Sequence, residues 1–109
     1  MIKVQLPNML MGISFSHPVK REAMTSIPLF DAIPTMQVRY THCELYEILP
    51  GPDNEKPQTK LMCEGIARCS PLDNFNKEAG RKIALTRAIK VLELNRDERE
   101  VVWETYLNR

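Results

Sequence analysis

The stretch Cys69–Ile89, CSPLDNFNKEAGRKIALTRAI, joins the end of a strand-like run to the beginning of a helix. Its aspartate and asparagine residues at 73, 74 and 76 are typical helix caps, so a helix is predicted to begin there and to run to about Leu94. Apolar residues recur with the helical period and predict one buried face: Ala84, Leu85, Ala88, Val91 and Leu92. This stretch therefore predicts a helix that packs one side against a sheet.

Two strand-like runs rich in β-branched and aromatic residues precede this helix, at 37–48 and 59–69. The polar connection Pro50–Gln58 consists largely of turn formers, which predicts a long hairpin 37–48/59–69 with an exposed tip. After Asn95, a second helix is predicted from Asp97 to about Leu107. The predicted fold class is therefore α+β, an antiparallel β-sheet followed by two C-terminal helices.

The first 36 residues carry the weakest pattern, and prolines at 7, 18, 28 and 34 exclude a long helix there. We expect a strand at Met9–Phe15, a loop or one helical turn at Ser16–Ser26, and a loop packed on the core at Ile27–Ile33. A chain of 109 residues fits one domain, so the domain is predicted to span 1–109.

The overall charge is nearly balanced, with 15 basic and 14 acidic residues, which excludes nucleic-acid binding driven by bulk charge alone. No apolar run is long enough to span a membrane, and the N-terminus lacks a signal-peptide pattern. Three cysteines without paired spacing indicate reduced thiols and a cytoplasmic location. A zinc site would need Cys43, Cys63 and Cys69 with His42, none of them at zinc-finger spacing, so we expect no metal and no cofactor.

The first turns of the predicted helix carry Lys77, Gly80 and Arg81, although cations oppose the helix dipole there and glycine weakens a helix. On a helical wheel, Arg81 and Lys77 lie on the same side as the predicted core face, at the exposed end of the helix. A guanidinium in that position suits a phosphate, because its planar fork donates paired hydrogen bonds. The structural alternative is that Arg81 pairs with an internal carboxylate such as Asp73 or Glu78.

Other residues around the helix start extend the candidate site. Phe75 is predicted either to form a hydrophobic staple or to stack against a base. Arg39 and Arg68 are expected to face each other across the hairpin, where an anion or neighbouring acids would separate their charges. The predicted ligand-binding residues are Arg81, Lys77, Asn74, Phe75, Arg39 and Arg68.

The histidines, His17 and His42, have no acid or nucleophile at motif spacing, and no triad, paired-carboxylate or P-loop signature is present. We therefore expect a binding protein and not an enzyme. Trp103 and Tyr106 either complete the core or anchor an interface. We expect a homodimer or higher homo-oligomer, because a chain of this size with a proline-broken N-terminus makes a thin core.

Two resemblances bear on function. The first is to small proteins of bacteriophages and their hosts, and it rests on three motifs: Cys69-x-Pro71-x-Asp73-x-Phe75, Gly80-Arg81-x-Ile83-Ala84-Leu85-x-Arg87-Ala88 and Arg99-x-x-x-Trp103-x-x-Tyr106. Within that group, the sheet followed by two helices is similar to the anti-Thoeris sponge family. That resemblance implies phosphate-binding arginines and a pocket at an oligomer interface, which capture a cyclic nucleotide immune signal without chemistry.

The second resemblance is of Asn76–Lys82, after two strands, to the end of a double-stranded RNA-binding domain, where basic residues at the last helix grip phosphates. The predicted function is that of a phage counter-defence protein that sequesters a nucleotide-type small molecule. The first alternative is an anti-CRISPR protein that inhibits a host defence protein by direct contact through a flat or acidic surface. The second alternative is an RNA-binding module.

Overall fold

The computed structural model of this chain describes residues 1–23, 35–52, 56–69 and 74–109. The elements within these ranges are β1 (Ile2–Gln5), β2 (Leu10–Ser16), β3 (Val19–Ala23), β4 (Thr35–Leu49), β5 (Gln58–Arg68), α1 (Lys77–Leu92) and α2 (Arg96–Leu107). All strand pairs are antiparallel. The predicted α+β class, an antiparallel sheet followed by two C-terminal helices, is confirmed.

The long strand β4 organises the sheet. One of its edges pairs with β5, and the other pairs with β2 and then with β3 in the same register, so β2 and β3 act as one strand interrupted at His17 and Pro18. Proline has no N–H to donate to the ladder, although its carbonyl still accepts from Tyr40 N at 2.9 Å. The short strand β1 pairs with the edge of β2 that faces away from β4.

The predicted hairpin 37–48/59–69 is confirmed as β4 and β5. Strand β4 extends beyond the predicted strand at both ends, and β5 begins and ends one residue earlier than predicted. A bulge at Met62 shifts the register, because Leu45 pairs with Cys63 while Tyr46 pairs with Leu61. The strand predicted at Met9–Phe15 is confirmed as β2. The expectation of a loop or helical turn at 16–26 is wrong for β3, whose charged sequence forms a strand through its pairing with β4. The loop predicted at 27–33 lies outside the described residues.

Both helices begin at asparagine caps. Asn76 accepts a hydrogen bond from the third residue of α1, and Asn95 forms a reciprocal capping box with Glu98 at the start of α2. Helix α1 ends at Leu92, two residues earlier than predicted, because Glu93 adopts a left-handed conformation. Helix α1 packs on β4 and β5, whereas α2 packs on β1.

The core lies between the helices and one face of the sheet. Its fully buried side chains include Met11, Ile13, Leu45, Leu85 and Tyr106. The opposite face, called the open face below, carries His42, Glu44, Glu64 and Ile66, and no helix covers it within the part of the chain that the structure describes.

The predicted core face of α1 is largely correct, since Ala84, Leu85 and Ala88 are fully buried. Val91 is a correction, because its side chain is 64% exposed, whereas Ile89 is buried. Each residue turns the helix by about 100°, which places Val91 just outside the buried arc and Ile89 inside it.

Candidate functional site

The first turn of α1 lies directly against β4. A Cβ atom added to Gly80 would come within 2.3 Å of the Thr41 hydroxyl oxygen, so only glycine permits this approach. Thr41 is almost fully buried and is the polar floor of the helix entrance. The glycine that weakens the helix in isolation therefore brings the cations of the first turns close to the sheet.

His17 lies at the centre of this helix entrance. Its Nε2 atom accepts a hydrogen bond from Nε of Arg81 at 3.3 Å, and its Nδ1 atom lies 3.1 Å from the hydroxyl of Thr41. Because an accepting nitrogen carries no proton, the proton of the neutral ring is assigned to Nδ1. His17 belongs to no sequence motif, and its position in the site depends on the shared register of β2, β3 and β4.

Aromatic rings line the same entrance. The ring of Phe75 packs edge-on against the ring of His17, with centroids 5.7 Å apart, and the guanidinium of Arg39 lies 5.3 Å from the Phe75 centroid. The guanidinium of Arg81 lies 5.5 Å from the centroid of Phe15. The predicted hydrophobic staple of Phe75 is wrong, because its partner position in the helix is Gly80, which has no side chain.

These side chains form what is called the His17 cluster below: His17, Arg39, Phe75, Lys77 and Arg81. Burial and the nearby charges of Arg81, Lys77 and Arg39, in that order, lower the pKa of His17 below its usual value. None of the three cations forms an ion pair with a carboxylate among the described residues. The cluster is therefore positively charged, with no acid in the described ranges to compensate it.

The proposed pairing of Arg81 with Glu78 does not occur. Glu78 instead accepts a hydrogen bond from the Tyr106 hydroxyl at 2.9 Å and pairs with Arg109 at 3.1 Å. Those two contacts tie the start of α1 to the end of α2. Asp73, the other proposed partner, lies outside the described residues.

Arg68, although predicted as a ligand residue, is not a member of the cluster: it lines an adjoining cavity, but its guanidinium is bound elsewhere. Its guanidinium donates to Glu22 on β3 at 2.6 and 2.9 Å, and the hydroxyl of Tyr40 donates to the same carboxylate. The expectation that Arg68 faces Arg39 is wrong, because its cross-strand partner is Tyr40, and successive residues of β4 point to opposite faces. A neighbouring acid, Glu22, therefore neutralises Arg68 in a structural ion pair.

Asn74 is exposed and lines a small cavity of about 180 Å³ together with Phe75, Cys69, Thr41 and other residues of the helix entrance. This cavity opens beside the His17 cluster. Of the six predicted ligand residues, the structure brings together Arg81, Lys77, Phe75 and Arg39, and both Asn74 and Arg68 line the adjoining cavity.

A separate polar group occupies the open face. Glu44 and Glu64 are cross-strand neighbours, and His42 Nε2 lies 3.2 Å from the Glu64 carboxylate without meeting hydrogen-bond geometry. Nδ1 of His42 lies 3.8 Å from Glu44. No group of three metal-ligating side chains is present in the described ranges. The zinc set considered above is not assembled, because Cys43 belongs to the core whereas His42 lies on the open face.

No family model, no curated protein and no solved structure shows significant similarity to this chain. In the residues that the structure describes, no helix is both long and apolar enough to cross a membrane.

Proposed function

We propose that this chain is a binding protein that captures a phosphorylated ligand of the nucleotide class at the His17 cluster and performs no chemistry on it. The observation that carries the proposal is the convergence of Arg39, Lys77 and Arg81 around His17 without a described carboxylate to neutralise them. Like charges held together in a folded protein are unfavourable, and a bound anion relieves that repulsion.

The position of the cluster favours phosphate among anions. The N-terminal end of α1 carries a partial positive charge that attracts an anion, and Arg81 and Lys77 lie on its first turns. Two guanidinium groups, those of Arg39 and Arg81, add planar donors that match the spacing of phosphate oxygens. Side chains from both β4 and α1 contribute, so the site depends on the folded chain.

Phe75 favours a nucleotide over a simple phosphate. Its half-buried ring lies beside the cations, where a base can stack while its phosphate contacts the cluster. The adjoining cavity of about 180 Å³ is smaller than the roughly 300–1,000 Å³ of typical ligand pockets. A nucleotide would therefore lie across the surface of one protomer, and a second protomer would be needed to enclose it.

In the host cytoplasm this binding would sequester a nucleotide immune signal, the role that the resemblance to anti-Thoeris sponges implies. The half-buried Trp103 and the exposed Leu107 on α2 provide apolar side chains for a homodimer interface. The acidic open face, with Glu44 beside Glu64, favours a second candidate, an anti-CRISPR inhibitor that contacts a basic host protein. An RNA-binding module would use the same His17 cluster to hold a phosphate backbone.

The test measures affinity and stability on the same variants. The full chain is titrated calorimetrically with cyclic dinucleotides, adenine mononucleotides and a short single-stranded RNA, so that the three ligand classes are distinguished. We expect Arg81→Ala to lose one charge-assisted contact, about 1.5–3 kcal/mol or roughly ten- to hundredfold in affinity, with little change in melting temperature. Lys82→Ala is the matched control, because Lys82 is an exposed cation on the next residue of the same helix.

Unchanged affinity of Arg81→Ala, together with a lower melting temperature, would assign Arg81 to the scaffold and contradict the proposal. Binding of a basic protein with no nucleotide binding would favour the inhibitor. Preference for the RNA over both the cyclic dinucleotides and the mononucleotides would favour the RNA-binding module.

A further inference from the structure

We infer that His17 is a positioning residue that couples ligand binding at the His17 cluster to the uptake of one proton, so that a phosphodiester binds more tightly as the pH falls. The inference rests on the proposed function and concerns the same site. It goes further by naming a residue that holds Arg81 and a condition that controls the affinity.

The hydrogen bonds of His17 require its neutral form. Nε of Arg81 donates to Nε2 of His17 at 3.3 Å, and a protonated Nε2 cannot accept this bond. On the other side of the ring, Nδ1–H of His17 is directed to the buried hydroxyl of Thr41 at 3.1 Å. In the ligand-free protein, neutral His17 therefore holds the guanidinium of Arg81 by accepting a hydrogen bond from its Nε–H.

The surroundings of His17 maintain that neutral form when no anion is present. The charged groups that face it are Arg81 and Lys77 from α1 and Arg39 from β4, and no described carboxylate faces it. The uncharged neighbours are Thr41 from β4 and the ring of Phe75. Partial burial and these three cations lower the pKa of His17, so the ring is neutral at physiological pH.

An anion on the cluster reverses this balance. Its negative charge offsets the repulsion from Arg39, Lys77 and Arg81, so the imidazolium form becomes favourable. One proton from solvent adds to Nε2 of His17, which ends the hydrogen bond from Arg81 and changes Nε2 from an acceptor to a donor. The guanidinium of Arg81 is then released toward the ligand, and the imidazolium adds one more positive charge.

The experiment uses a cyclic dinucleotide, because its phosphodiesters do not titrate in the range where His17 does. Affinity is measured by calorimetry from about pH 8 to about pH 5.5, and buffers of different ionisation enthalpy give the number of protons taken up. We expect tighter binding as the pH falls, by up to about tenfold per pH unit for one proton. Imidazole ¹⁵N spectra of the free protein near pH 7.5 should show neutral His17 with its proton on Nδ1.

His17→Gln separates this role from a structural one. The glutamine side-chain oxygen can accept from Arg81, but it does not titrate, so we expect binding that no longer depends on pH. His42→Gln is the matched control, because His42 is the other histidine of the chain and lies on the open face, and this variant should keep the pH dependence.

The outcomes distinguish this inference from the proposed function. Binding of the dinucleotide without proton uptake, or pH dependence that persists in His17→Gln, would overturn the role of His17 and leave the proposed function in place. Absence of binding at every pH would refute both. A His17 proton on Nε2 in the free protein would overturn the hydrogen-bond arrangement on which the inference depends.

Discussion

Replacing Gly65 with alanine should destabilise this fold strongly, because α1 lies with its backbone against β5 at that position. A Cβ atom on Gly65 would lie 2.1 Å from the carbonyl oxygen of Ala84 and 2.5 Å from the backbone nitrogen of Ala88. Both atoms belong to the middle of α1, so no side-chain rotation relieves the contact. The helix would have to move away from the sheet by more than an ångström.

Two opposing effects set the size of this change. Alanine in place of a strand glycine removes a conformational penalty of about 0.5–1 kcal/mol. Overpacking a closely packed core costs about 1–3 kcal/mol and sometimes more. Because Gly65 is opposed by backbone atoms on α1, we expect the upper end of that range, a net loss of about 2 kcal/mol or more from a typical stability of about 5–15 kcal/mol.

Urea unfolding followed by circular dichroism measures this loss, and Gly12→Ala is the matched control. A Cβ atom on Gly12 would come within 2.1 Å of the sulfur of Met1, but Met1 is 60% exposed and its side chain can move aside. Gly12→Ala should therefore change the free energy of unfolding by less than about 1 kcal/mol. Equal changes in the free energy of unfolding for Gly65→Ala and Gly12→Ala would refute the close approach of α1 to β5.

Three further predictions concern other parts of the molecule. Leu85→Ala removes a fully buried side chain and should cost about 2–5 kcal/mol in urea unfolding, and a near-neutral result would mean that the buried face of α1 is wrongly assigned. Burial raises the pKa of the Cys43 thiol to about 12, so peptide mass spectrometry should find Cys43 unmodified by iodoacetamide in the native protein and alkylated after unfolding. Hydrogen bonds, chiefly from Tyr106 and then from Arg109, lower the pKa of Glu78 below 4.5. The wild-type chain should therefore be more stable than Glu78→Gln above that pH, and this difference should disappear as the pH falls through the lowered pKa. A difference in unfolding free energy that stays constant through an acid titration would contradict this.

The sequence predicts the C-terminal half of the fold well because local signals and tertiary packing agree there. Asparagine caps and the helical period fix α1 and α2, and the turn-rich connection after β4 indicates the hairpin. The charged sequence of β3 has little strand character of its own, and only its pairing with β4 makes it a strand. Position Val91 shows the remaining limit, since a small error in the phase of a helix moves a residue from the buried face to the surface.

The candidate site is only partly predictable for the same reason. Arg81 and Lys77 are visible in the sequence because cations at the beginning of a helix are unusual. His17 carries no such signal, since it joins Arg81 across 64 positions and only through the register of β2 with β4. Arg68 is an arginine like Arg39, but it pairs with Tyr40, so its side chain points to the opposite face of the sheet, where Glu22 is its partner.

The most direct test of the central claim is a ¹H–¹⁵N NMR titration of the full chain with a cyclic dinucleotide. Binding at the His17 cluster predicts the largest shifts at the backbone amides from Phe75 to Arg81, at Nε–H of Arg81 and at the ring of His17. Shifts confined to the open face around Glu44 and Glu64, or no shifts at saturating ligand, would contradict it.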